Sequence, residues 1–232
     1  MAPPFTRFAT PHLVAIALTL ATPLALSWIV RRAPQRERVI AWALIVILGL
    51  GRVGHFVFLL REYEWRTLLP LHLCDVALVA AFAALLWRSR WGFELAYFFG
   101  MAATLQAVLT PNIARDFPDP VFFTFFLWHS GVVLCVLYAI VGLRMRPGRG
   151  ALGRIYLAYV GYGAIAGLIN LLLGTNYGFL SRKPVGGNII DVMGPWPWYL
   201  LGLAIAGALM FAVLALPFTI GRLVRARRSR RA

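Results

Sequence analysis

Charge is scarce in this 232-residue chain: Asp, Glu, Lys and Arg make up 13% of it, where a soluble globular domain carries about a quarter. With 61% hydrophobic residues and a mean hydropathy of +0.77, a soluble fold is excluded and an integral membrane protein is left. Cysteine is nearly missing as well. Cys74 and Cys135 are the only two; they fall at different depths of different apolar runs, which argues against a structural disulfide. No Asn begins an N-x-S/T triplet, no stretch is long and polar enough for a soluble domain, and there is neither an HExxH motif nor clustered Cys/His spacing. No cofactor or metal is therefore expected. GYGAIAG, with Gly163 and Gly167 four apart, reads as a close helix contact.

What is present is apolar sequence in lengths that suit a bilayer core of roughly 30 Å. Spans are expected near 11–30, 39–60, 68–87, 93–110, 120–142, 153–174 and 196–220. The fold class is thus an all-α polytopic bundle of seven transmembrane helices, one domain over 1–220 with a basic tail over 221–232. The first span has an apolar run too long for a signal peptide and no clear cleavage site.

The net charge of +15 would suggest nucleic acid in a soluble protein, but its distribution says otherwise. Arg31, Arg32, Arg36, Arg38, Arg88, Arg90, Arg144, Arg146, Arg149, Arg154 and the six arginines from Arg222 to Arg231 fall on one side of the expected bundle. Arg7, Arg61, Arg66, Arg115, Arg182 and Lys183 fall on the other, with Arg52 inside the second span. This alternation is the positive-inside pattern. It places the N-terminus outside and the C-terminus in the cytoplasm of a multi-pass cell-membrane protein. Nucleic acid is not expected as a partner, and the tail is expected to meet anionic lipid headgroups.

On that topology the buried polar residues gather in the outer half. LHLCDVALVAA (71–81) puts His72, Cys74 and Asp75 within about a turn, and an ionisable group at membrane depth marks a functional site by default. His72 and Asp75, three apart, share a helix face, whereas Cys74 points about 200° from His72. His129, expected about 13 Å down its helix, is the candidate base at comparable depth. Gln106, Asn112, Asn170 and Asn176 are candidate substrate contacts, and the outer loops containing Asn112, Asn176, Arg182 and Lys183 are rich in Asn, Asp and Pro. The expected feature is a polar cavity open to the outside. Several residues have two readings. Cys74 is a packed small side chain or a nucleophile; Asp75 orients a base or neutralises Arg52; Arg182 and Lys183 hold a phosphate headgroup or are solvated loop charges. His72, Asp75 and His129 also form the two-His-one-carboxylate set that zinc or iron accepts. His55 is read as structural, and Trp196 and Trp198 as an interfacial aromatic belt.

LPLHLCDVALVAA, FFGMAATLQAVLTPNIARDFPDPVFFTFFLWHSGVV and GTNYGFLSRKP together resemble the bacterial YwaF-like family of membrane proteins and, more distantly, the transmembrane protein 164 family of animals. The resemblance covers about residues 10–220. It implies an all-helical bundle and, from the animal relatives, phospholipid acyl transfer through a cysteine nucleophile, with Cys74 and His129 as the positions to receive those roles. The animal motif reads Pro-Cys-His where this chain has Pro70, Leu71 and His72, so the motif cysteine aligns with Leu71.

The expected function is a lipid acyltransferase or acyl hydrolase acting on membrane phospholipids. In that reading His129 is the general base, oriented by Asp75 or His72, Cys74 or a water is the nucleophile, and Gln106 or Asn112 is the oxyanion donor. A transporter or channel for a small polar solute is the alternative, and a non-catalytic assembly partner a third reading.

Overall fold

The computed structural model describes residues 3–184 and 189–229. Among them the architecture is all-helical, with a bundle of seven helices: α1 (Thr10–Arg32), α2 (Glu37–Leu59), α3 (Leu73–Trp87), α4 (Arg90–Leu109), α5 (Pro120–Val141), α6 (Ala151–Leu173) and α7 (Trp198–Ser229). Six of these are long and apolar enough to cross a bilayer. At 15 residues α3 is about 22 Å long, short of the expected 68–87 span. Pro70 explains the shortening: it lacks an N–H and disfavours helix at the residue before it, so the helix starts only at Leu73.

The basic tail is not a separate element, because α7 runs unbroken through Gly221 to Ser229. Arg230 and Arg231, expected in that tail, lie outside the described residues, as do 185–188 of the loop before α7. Within α4 the backbone widens into a π-helical stretch at Gly100–Thr104, a rare device that the apolar pattern does not announce.

The helices α3, α4 and α5 form the middle of the bundle. Ala77, Ala81 and Ala84 of α3, Phe98 and Phe99 of α4, and Val132 and Val136 of α5 are all fully or almost fully buried in one core cluster. Small residues let backbones approach, which drives helix association in lipid. A Cβ added at Gly92 would come within 2.8 Å of the Ala80 carbonyl and 3.0 Å of Ala84 N, and one at Gly131 within 2.1 Å of Leu48 Cδ2. The α3–α4 and α2–α5 contacts therefore depend on these glycines. The expectation for GYGAIAG is overturned: nothing lies within 4 Å of a Cβ at Gly163 or Gly167. The reason is orientation. α6 meets α7 through Tyr156 and Tyr159, whose hydroxyls donate to the Ala204 and Leu203 carbonyls, and the glycine face points away.

The chain alternates direction, so its charges sort to the two ends. At the arginine-rich end Arg88 makes a bidentate pair with Glu37 (2.7 and 2.6 Å) and reaches the Leu143 carbonyl. The fully buried Glu94 accepts from Arg154 (2.9 Å) and from Gly148 N (2.8 Å). Arg222 donates to the Pro147 carbonyl. These contacts tie the loops of that end to helix ends, and beside them lies a pocket of about 300 Å³ lined by Gln35, Glu37, Arg38, Ala41 and Leu85.

Gly92→Val forces α3 and α4 apart and is expected to cost about 1–3 kcal/mol of stability, as overpacking typically does. Gly163→Val is expected to leave stability unchanged. Unfolding of both variants in mixed micelles checks the contrast.

Candidate functional site

At the opposite end, the last turns of α2, the first turns of α5 and the segments 60–72, 110–119 and 174–184 enclose a cleft of about 310 Å³. Its lining is amphiphilic. Leu59, Leu68, Ile113, Phe125 and Phe179 supply the apolar part, and His55, Glu62, His72, Asn112, Arg115 and Arg182 the polar part.

Its foundation is an ion pair. Arg52 of α2 donates from Nε to Asp75 Oδ1 at 2.5 Å and from Nη2 to the Leu68 carbonyl at 3.1 Å. Asp75 is 3% exposed. Its second oxygen accepts from the backbone N–H of His72 at 3.1 Å, so one carboxylate neutralises Arg52 and satisfies a free N–H at the start of α3. The guanidinium also lies over the Trp128 ring, 5.4 Å from its centroid, a cation–π contact. Asp75 thus does what the second of its two readings describes.

His72, at the helix entrance, lines the cleft with its ring edge-on to Tyr177 (5.1 Å between centroids). Tyr177 is almost fully buried and its hydroxyl donates to the Arg66 carbonyl. Burial raises its phenol above the ordinary value, so it remains a donor at neutral pH. Phe179 beside it takes a left-handed backbone (φ 57°), a costly conformation for a non-glycine residue that the surrounding contacts must hold.

His55 lines the cleft as well. Its Nδ1 lies 3.1 Å from Thr124 Oγ1, and that hydroxyl lies 2.9 Å from the Pro120 carbonyl. The contact accommodates both tautomers: with the hydroxyl donating to the carbonyl, His55 donates from Nδ1 and Nε2 keeps the lone pair, and with the hydroxyl donating to Nδ1 the roles are reversed. His129 has no such choice, because its Nδ1 meets the Phe125 carbonyl at 2.9 Å and must donate to it. His129, however, sits behind the cleft, with its ring 4.0 Å from Phe125 and 3.6 Å from Trp128 by centroid.

The other expected residues separate. Cys74 does not line the cleft; its thiol faces Thr104 at the end of the π-helical stretch. Gln106 is exposed away from the cleft, whereas Asn112 lines it. Asn170 is buried and uses both ends of its amide on the next loop: Oδ1 accepts from Tyr177 N (2.6 Å) and Thr175 Oγ1 (2.9 Å), and Nδ2 donates to the Tyr177 carbonyl (2.9 Å). Lys183 donates to the Asp191 carbonyl. Among the described residues, no three His, Cys, Asp or Glu side chains converge as a metal site, so His72, Asp75 and His129 do not form a ligand set.

Sequence reasoning passed over His55 as structural, and nothing in its spacing announces Thr124, 69 residues away. It also missed His12, fully buried, which accepts from Phe8 N at Nδ1 (2.9 Å) and donates from Nε2 to the Val108 carbonyl (2.8 Å). His12 anchors the extended N-terminal segment. Phe5 N donates to the Ala114 carbonyl, Asp116 N to the Pro3 carbonyl, and Thr6 N to Asp116 Oδ2. The first residues of the chain therefore brace the 110–119 wall of the cleft.

This geometry sits within a sequence relationship that spans nearly the whole chain, since residues 7–215 match the TMEM164 family. The chain belongs to that family. An uncharacterized protein of Treponema pallidum (strain Nichols) is 31% identical over 221 residues, covering 92% of this chain and 90% of the relative. No solved structure matches the chain. The family assignment and the six long apolar helices make this a multi-pass integral membrane protein in a lipid environment.

Asp75→Asn strands the Arg52 charge and is expected to cost about 3–5 kcal/mol, while the double change Arg52→Met, Asp75→Leu is expected to recover most of that loss. Unfolding midpoints of the three proteins in the same micelle decide it.

Proposed function

We propose that the protein is a membrane enzyme that attacks an acyl ester of a membrane phospholipid, as acyltransferase or acyl hydrolase, with a histidine base and without a covalent cysteine. The observation that carries this reading is the presence of two imidazoles, His55 and His72, in one amphiphilic cleft. Phospholipid chemistry is also what the likeness to the animal relatives implies.

His55 takes the role expected for His129, because it lines the cleft; in the tautomer that donates from Nδ1 to Thr124, Nε2 is the basic nitrogen. In the reaction Nε2 accepts the proton of a water or an acceptor hydroxyl as that oxygen bonds to the ester carbonyl carbon. The carbonyl electron pair moves onto its oxygen, where the Asn112 amide donates to it. The carbonyl re-forms, the bond to the leaving alkoxide breaks, and the imidazolium returns its proton to that alkoxide. His72 and the Arg52–Asp75 pair behind it hold the second wall. Cys74 faces Thr104 and not the cleft, and Leu71 stands at the aligned motif position; both speak for direct attack.

The cleft belongs on the outer side of the membrane if the arginine-rich end is cytoplasmic, as the positive-inside pattern requires for seven spans with the N-terminus outside. The core below Asp75 is apolar through Ala77, Leu78, Ala81 and Val132. That favours chemistry over transport through the bundle.

Two measurements test the proposal. In acyl release or transfer from labelled phospholipid, His55→Ala is expected to lose about 10²- to 10⁴-fold, the usual worth of a general acid–base group, and Cys74→Ala to keep the wild-type rate. Loss in Cys74→Ala with retention in His55→Ala would reverse the mechanism. A cytoplasm-active reporter fused after Ala232 is expected to be active, and a periplasm-active one silent; the opposite pattern refutes the orientation.

A further inference from the structure

Two cations line the cleft, Arg115 and Arg182. Arg115 is spent internally, paired with Glu62 and with Asp119. Arg182 is not: among the described residues its guanidinium has no hydrogen-bonding or acidic partner, while its backbone is held at both its N–H and its carbonyl. Asn176 Oδ1 accepts from Ser181 N and Arg182 N, both at 3.0 Å, and Asn176 Nδ2 donates to the Arg182 carbonyl at 2.9 Å. The segment before it is pinned by Asn170, and Tyr199 and Trp196 donate to the Phe179 and Leu180 carbonyls. Both amide ends of Asn176 are thus used to set where Arg182 stands.

A free guanidinium on a held backbone beside a cleft is open to an anion, and its planar fork suits the oxygens of a phosphate. Its height fits too. His55 lies four residues inside the end of α2, about 6 Å below it along the axis, whereas Arg182 belongs to the loop layer beyond the helix ends. In a glycerophospholipid the phosphate likewise sits a few ångströms outside the ester groups.

We propose that Arg182 is the specificity-determining residue that binds the phosphate group of the lipid, with Arg115 serving only to close the Glu62 side of the cleft. The inference rests on the phospholipid reading of the cleft, and its test reads binding, not turnover. Purified protein in a neutral maltoside is titrated with dihexanoylphosphatidylcholine, with dihexanoylglycerol, which lacks the phosphate, and with inorganic phosphate. The phospholipid is expected to bind the wild type at least about tenfold more tightly than the neutral diacylglycerol, as hydrogen bonds to a charged group imply.

Arg182→Ala, a change at an exposed side chain, is expected to abolish that difference while leaving diacylglycerol binding unchanged, and Arg182→Lys to restore part of it. Raising salt is expected to weaken phospholipid binding to the wild type and not to Arg182→Ala. Inorganic phosphate binding as tightly as the phospholipid, and lost in Arg182→Ala, would support the phosphate site but assign it to a free phosphate. Equal phospholipid binding by wild type and Arg182→Ala overturns the proposal. An Arg182-dependent preference in a protein that releases no acyl chain would overturn the catalytic reading alone.

Discussion

The Arg52–Asp75 pair is the interaction on which the site depends. Two charges inside an apolar bundle are tolerated only when they are paired and their remaining hydrogen-bonding capacity is used, and both conditions are met. Asp75 divides its oxygens between Arg52 and the His72 N–H, and Arg52 divides its nitrogens between Asp75 and the Leu68 carbonyl. The non-helical stretch between Leu68 and His72 would otherwise present bare backbone groups to lipid, which is unfavourable at membrane depth. The pair therefore stabilises the late start of α3, and the late start brings His72 to the cleft.

The same principle explains the other two walls. Each is irregular backbone, and each is satisfied by side chains placed for the purpose. Asn170 and Asn176 hold the wall from Thr175 to Arg182, while His12, Asp116 and the paired N-terminal segment hold the wall from Thr110 to Asp119. These residues position the walls of the cleft. That is why Asn170, which looks like a ligand residue when only depth is considered, is a structural clamp.

Much of the bundle was legible in the sequence because apolar length and proline placement act locally. The limits of α4 and α5 follow from Pro111 and Pro120, and the sorting of arginines follows from alternating direction. The gathering of His72, Asn112, Asn176 and Arg182 around one cleft also follows, since residues at the same end of antiparallel helices must meet. What sequence could not reveal was pairing across helices. His55 meets Thr124, and Cys74 faces Thr104 on a π-helical stretch; neither partner is marked by spacing. Gly163 and Gly167 show the converse: a local motif predicts a close contact only if a neighbour covers that face, and α7 meets the tyrosine face instead.

These placements bear on the choice between covalent and direct attack in the proposed mechanism. A covalent cysteine must touch the substrate, and the position aligned with the animal motif holds Leu71, whose carbonyl accepts from Tyr162. The nearby thiol, three residues on, faces α4. Direct attack needs less: a base whose lone pair is fixed by its other nitrogen, a donor for the oxyanion, and walls that hold the ester in register. In the proposed mechanism His55 with Thr124, Asn112 and the three braced walls are assigned to that set. On the proposed mechanism Leu71 at that position is compatible with direct attack, because the parts assigned to orienting the carbonyl are independent of it.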